Sequence, residues 1–326
     1  MRITNNMVTR NYTKGLHTNL SRLSTYNQQI ISGRRFNVMS EDTASGVRAM
    51  QTRRSLARIE SYRNNAKDTN ITFAAAETTM LNISNINHTV TSKYVNGITG
   101  TMGAEEREII ANELDKLRDE MVSCANGQFA DRYLFGGTNV NSAPFALDKT
   151  TGMLTYNGVD VMSITKTHEL FQDASYVDIG LGLNFKDTGN PQQVNPNSAF
   201  KNSFVGLDFL GTGSDNLILK LGEMIDELKS PGFDVNKAGK LLDEYKASSN
   251  NMGVALTKLG ADTAFLEFTV DRLDSEELNL KTRQEIIEAR SPEEAIMDFK
   301  MQEYVYNAAL QMGQRLLQPT LFSFIN

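Results

Sequence analysis

The sequence predicts a mainly α protein with a β-rich insertion, built as a terminal coiled coil, a helical bundle and an outer β domain. Three observations point there. Apolar residues recur at heptad spacing in long stretches towards both ends of the chain. Proline is scarce (6 in 326 residues) and tryptophan absent, so little interrupts long helices. Between residues 139 and 206 the texture changes to short runs punctuated by Gly, Asn, Asp and Pro.

The elements follow in order. Leu16, Leu20, Leu23 and Ile30 form one stripe of a helix over about 12–33, with Asn27 at the missing heptad step. Gly33 stands where a left-handed C-cap is wanted, and Arg34 and Arg35 lie at the negative end of the helix dipole. Asn37 tolerates positive φ, and Ser40 or Asp42 can cap the next helix. That second helix, about 43–96, carries Phe73, Ala76, Met80, Ile83, Asn87, Val90 and Tyr94 at heptad spacing. After the turn "GITGTMGAEE" a third helix places Ile110, Leu114, Leu117, Met121 and Cys124 in the same rhythm.

In the insertion, "MLTYNG", "VMSITK" and "YVDIGLGLNF" read as strands. Helices resume near Asp215 and again near Val235, where Leu259, Leu266, Leu273, Leu280 and Ile287 recur every seven residues. A final helix opens with Ser291 as N-cap, Pro292 in the first turn and acidic residues against the dipole, and Pro319 ends it. The expected domains are 1–42 with 288–326, 43–138 with 207–287, and 139–206. Charge favours pairing of the two ends: residues 34–67 carry eight Lys/Arg against three Asp/Glu, and 271–298 nine Asp/Glu against four Lys/Arg.

Composition removes several function classes. A net charge of −6 exerts no general pull on nucleic acid or anionic membranes. No run is long and apolar enough to span a bilayer, and the N-terminal "MRITNNMVTRNYTKG" lacks the apolar centre of a cleaved signal. One cysteine, Cys124, cannot build an intramolecular disulfide framework.

No chemical motif is complete. Gly211 and Gly213 give G-x-G, but position 216 is Asn and no repeated βαβ pattern surrounds it, so a strand-to-helix turn capped by Ser214 or Asp215 is the plainer reading. "THELFQ" has Gln172 where a zinc-protease helix needs its second His. With His17, His88 and His168 widely spaced and one Cys, the chain lacks the donors for a zinc site, the same scarcity argues against a Cys-His nucleophile, and no G-x-S-x-G elbow marks a Ser-His-Asp triad. The basic run Arg48, Arg53, Arg54, Arg58 and Arg63 lacks interleaved aromatics and a nucleic-acid motif. The expectation is no enzyme, no cofactor and no metal.

Three segments carry a resemblance: "MRITNNM" with "SGRRFNVMSEDTASG", then "GQFADRYLFGGTNVNSAPF", and the ending "AIMDFKMQEYVYNAALQMGQRLLQPTLFSFIN". Together they resemble the bacterial flagellin family over about 1–145 and 215–326. Two details depart from it. The family's Asp-Asp pair is Glu41-Asp42 here, and the following glycine, Gly46, comes one residue late.

The resemblance implies nested layers, with the termini as the innermost coiled coil, and terminal helices that stay disordered before assembly. It implies subunit contacts through Leu16, Leu20, Leu23, Ile30, Tyr306, Leu310, Leu317, Leu321 and Phe324, and an inter-domain joint at Gly33, Arg35, Asn37 and Asp42. It also implies an extracellular protein of the flagellum, exported without a cleaved signal peptide. Its role would be a structural adaptor between hook and filament. Its partners would be flagellin, a hook-side hook-associated protein, further copies of itself in a ring and a dedicated export chaperone, with no nucleic acid and no membrane. The alternatives are the filament subunit itself and, from another class, an intracellular coiled-coil scaffold.

Overall fold

Two helices of more than fifty residues set the architecture: α2 (Thr43–Gly97, 55 residues) and α7 (Val235–Glu288, 54 residues). The computed structural model describes residues 5–99, 102–165, 168–172, 174–186 and 193–317. Its elements run α1 (Asn5–Ser32), α2, α3 (Ala104–Ala125), β1 (Gln128–Phe129), β2 (Arg132–Tyr133), β3 (Phe145–Leu147), β4 (Leu154–Tyr156), β5 (Val159–Asp160) and α4 (Glu169–Gln172). Then come β6 (Tyr176–Val177), β7 (Phe185–Lys186), β8 (Gln193–Val194), β9 (Phe200–Lys201), α5 (Leu207–Leu210), α6 (Leu217–Lys229), α7 and α8 (Pro292–Leu317). The mainly α class with a small strand-rich insertion is what the sequence predicts.

The chain divides into two units, residues 1–59 with 275–326, and residues 60–274. In the second, the heptad stripe of α2 is buried without a break. Phe73, Ala76, Met80, Ile83, Asn87, Val90 and Tyr94 are each at most 3% exposed. The opposing stripe of α7 includes Ala238, Leu242, Tyr245, Met252, Leu259, Leu266 and Leu273, all buried. The helices run antiparallel, with the Asn87 amide on the Ser249 hydroxyl and the Tyr94 hydroxyl donating to the Ala238 carbonyl at 3.4 Å. A buried Asn at a core heptad position costs stability and specifies register.

α3 starts at Gly103, whose N–H is accepted by the Glu106 carboxylate at 3.0 Å, with Glu105 and Glu106 facing the positive end of the dipole. Ile110, Leu114, Leu117, Met121 and Cys124 are all buried or half-buried. α6 lies beside α3 and is buried nearly all round. Its cap is Asn216, not Ser214 or Asp215: the Asn216 side chain accepts from the N–H groups of Ile218 (3.0 Å) and Leu219 (3.3 Å). The residue that breaks the glycine motif is thus the one that starts the helix. The expected strand before it is a short helix, α5, preceded by a single bridge from Val205 to Gly136.

Among the described residues, four small antiparallel sheets with strands of two or three residues lie in and just before the insertion. β1 and β2 turn at Ala130 and Asp131, both with positive φ (48° and 60°), ahead of the expected start of the β region at 139. β4 and β5 turn at Asn157-Gly158, also positive (49° and 83°), the left-handed pair that a tight hairpin favours. "VMSITK" is not a strand. Asp160 accepts from the Met162 N–H at 3.0 Å and rolls residues 161–163 into one tight helical turn. "YVDIGLGLNF" is strand only at its ends, because Gly180 and Gly182 take φ of 84° and 82° between them. Asn126 anchors β3 by a two-point amide contact with the Phe145 main chain, at 2.8 and 2.9 Å.

Candidate functional site: the terminal helix pair and its joint

In the first unit α1 and α8 pack side by side in antiparallel order. The Tyr12 hydroxyl donates to the Ala309 carbonyl at 3.0 Å, and the Gln302 amide reaches the Asn19 carbonyl at 3.3 Å. The half-buried positions of α1 include Leu16, Asn19, Leu23, Tyr26 and Ile30, a regular 3-4-3-4 series. Asn19 and Tyr26 therefore fill the heptad, whereas Asn27 is exposed and Leu20 is 46% exposed. On α8 the sheltered series is Ala295, Phe299, Gln302, Tyr306, Ala309 and Gly313. Leu310 sits beside it and is 39% exposed. Leu317 is the last residue of α8, and Leu321, Phe324 and Pro319 lie outside the described residues.

The outer face of α8 carries an apolar row: Met297 (64%), Met301 (69%), Tyr304 (75%) and Met312 (64%) stand in solvent, as does Ile31 (78%) near the end of α1. Exposed apolar side chains of this size, repeated along one helix, mark a surface built to be covered.

At the joint, Gly33 has φ 64° and its N–H closes on the Gln29 carbonyl at 2.8 Å, so α1 ends in the left-handed cap that its sequence calls for. The chain then pairs with the segment joining α7 to α8. Arg34 bridges Ala289, the Arg35 N–H donates to the Glu288 carbonyl at 2.7 Å, and the Arg290 N–H donates to the Gly33 carbonyl at 3.0 Å. Asp42 caps α2, accepting the Ser45 N–H at 3.0 Å, which holds its carboxyl below the usual range. Asn37 does not take a positive φ; its N–H donates to the Glu41 carboxylate at 2.9 Å. Ser291 precedes α8 as expected, and its hydroxyl donates to the Glu293 carboxylate, which lowers the Glu293 carboxyl.

Side chains missing from the sequence reading organise this joint. Glu288 is 4% exposed and receives the Arg53 guanidinium at two points, Nε to Oε1 at 2.7 Å and Nη2 to Oε2 at 2.5 Å. That contact, ahead of the cost of burial, holds the Glu288 carboxyl below its ordinary value and pushes Arg53 up. Arg290 donates to the Gln29 side chain and to the Asp298 carboxylate, and lies over the Tyr26 ring at 5.4 Å. The charge imbalance between residues 34–67 and 271–298 was the signal for such pairs; it did not say which ones.

Among the described residues no group of three or more His, Cys, Asp or Glu could hold a metal ion, and no helix is long and apolar enough to cross a membrane. His88 is exposed, and burial pushes the Cys124 thiol up, away from the reactive thiolate.

Comparisons with known proteins agree with this geometry. Residues 3–140 match the bacterial flagellin N-terminal helical region. The flagellar hook-associated protein 3 of Salmonella typhimurium is 25% identical over 286 residues, covering 85% of this chain and 84% of that protein. Among solved structures, a flagellar hook-associated protein from Vibrio parahaemolyticus superposes with a TM-score of 0.59 at 18% identity, over 76% of this chain and 99% of that one. FlgL of Bacillus cereus does so with a TM-score of 0.53 at 18% identity, over 72% and 99%. At such identities the two structures speak for the fold alone. The chain is thus similar along most of its length to flagellar hook-associated protein 3, and its N-terminal part to the helical region of the bacterial flagellins.

Proposed function

We propose that this chain is a structural adaptor of the bacterial flagellum, seated at the hook–filament junction and joining the hook-associated ring to the flagellin filament. The observation that carries the reading is the unpartnered apolar face of the terminal helix pair, where Met301 and Tyr304 are 69% and 75% exposed. A helix pair left this open gains stability when other subunits cover it. The partners follow from the position: flagellin on one side, the hook-side hook-associated protein on the other, and further copies of the chain closing a ring. Contacts that close give rings, and contacts that do not close give filaments.

The layering proposed with it places 1–42 and 288–326 innermost, 43–138 and 207–287 next, and 139–206 outermost. The chain would leave the cell through the flagellar export apparatus without cleavage, escorted by a dedicated chaperone. It works by binding, not by catalysis.

Addition to isolated hooks tests the reading. Purified chain should add to hooks already carrying the hook-side protein, and should not grow long filaments under seeding conditions that polymerise flagellin. Long filaments from this chain alone, seen by negative-stain microscopy, would instead favour the filament subunit.

A further inference from the structure

The seam between α1 and α8 poses a problem of register. The Tyr12 hydroxyl ends on the Ala309 main-chain carbonyl, which every residue offers, and the Gln302 amide splits between the Asn19 carbonyl and its side-chain oxygen, each at a long 3.3 Å. A slip of one heptad would keep most of the apolar burial and could remake those bonds. Something else must select one register.

We propose that Arg290 and the Tyr12–Gly313 contact lock the terminal helix pair in register from its two ends. Arg290 meets the requirements at the joint. Its N–H is fixed on the Gly33 carbonyl at 3.0 Å, its side chain is 13% exposed, and its guanidinium binds Gln29 on α1 and Asp298 on α8 together. Each of these partners exists at one place only. A charge-assisted fork of this kind is directional and cannot be remade one heptad away. At the far end Tyr12 lies against Gly313, where any side chain would collide with the phenol hydroxyl. Ala309, Gly313 and Tyr12 thus make a knob and a notch that fit in one register.

The consequence concerns display. With the register fixed, Leu20 and Ile31 on α1 hold constant positions against Met297, Met301 and Tyr304 on α8, so a partner meets one surface and not several. The lock itself is a property of the single chain and stands whether or not the junction reading does.

Disulfide trapping tests it in the full chain, with Cys124→Ser as background. N19C is combined in turn with A295C, Q302C and A309C, which sample the native register and a slip of one heptad either way. In the otherwise native chain the N19C/Q302C pair should form in about tenfold excess over either shifted pair, the preference that one charge-assisted hydrogen bond sets. Adding R290A and Y12A together should bring the three pairs to near parity while circular dichroism still reports the helices. Native selectivity surviving in that double variant overturns the proposal, as does absence of selectivity in the parent. Loss of selectivity in either single variant already supports it, and shows which end dominates.

Discussion

Glu288 and Arg53, separated by most of the chain, meet in a two-point ion pair whose oxygen–nitrogen distances are 2.7 and 2.5 Å. Glu288 is buried at the end of α7, and half of the Arg53 side chain remains in water (47% exposed). Arg34 adds a longer contact to the same carboxylate at 3.8 Å. Removing the carboxylate leaves Arg53 and Arg34 unpaired but able to hydrate, so the cost falls below that of a fully buried pair. Glu288→Gln should lower stability by about 1–2 kcal/mol, read from chemical denaturation. Hydrogen exchange should rise first at residues 285–290. An unchanged midpoint would make the pair incidental.

The same pair sets a pH dependence. The folded Glu288 carboxyl titrates below its ordinary 4.5, chiefly through the Arg53 contact. Its contribution is therefore complete above the unfolded value and is lost as pH falls through the folded one. Unfolding measured between about pH 3 and 7 should show stability declining on the acid side of that range. Glu288→Gln should flatten the acid limb without abolishing it, because Glu227 and Glu244 are also held low, by Lys237 and Lys220. An acid limb identical to the parent's would contradict the assignment.

Asn216 gives a test of the glycine-rich turn. Its side chain caps α6 and also donates to the Gly211 carbonyl at 2.9 Å, and the residue is fully buried. Asn216→Ala should cost about 1–2 kcal/mol of stability. Asn216→Gly completes G-x-G-x-x-G but should gain no dinucleotide binding by calorimetry, since the turn leads from α5 and not from a strand. Measurable affinity for a dinucleotide would reopen that function.

Two positions on α7 should separate core from surface. Leu266 is fully buried in the heptad stripe, and Phe268, two residues on, is 67% exposed. Leu266→Ala should cost about 2–5 kcal/mol by the cavity it leaves. Phe268→Ala should stay within about 0.5 kcal/mol. Equal effects would mean that α7 presents a different face to α2.

The sequence reading succeeded where one periodicity dominates and failed where several residue types share a stripe. In α2 the stripe from Phe73 to Tyr94 is nearly all apolar, so spacing alone located the buried face. In α1 the same rule chose Leu20 over Asn19 and Tyr26, because a polar amide and a phenol do not look like core. They are half-buried there because the Gln302 amide reaches the Asn19 side-chain oxygen and Arg290 lies over the Tyr26 ring. Gly33 and Asp42 were legible as caps, since capping is local. Gln29, Glu288 and Arg290 were not, because their roles depend on segments more than two hundred residues apart. Ser291 looked like a cap and stands in the right place, but its hydroxyl chose a nearby carboxylate. In the insertion, Asp160 and the positive-φ glycines turned expected strands into tight turns, a local competition that composition does not resolve.

The central claim is the adaptor's position, and immunogold labelling of whole cells tests it most directly. An antibody against the 139–206 insertion, applied to intact flagella, should mark one narrow band where the filament meets the hook. Label distributed along the filament, or none outside the cell, would contradict the account.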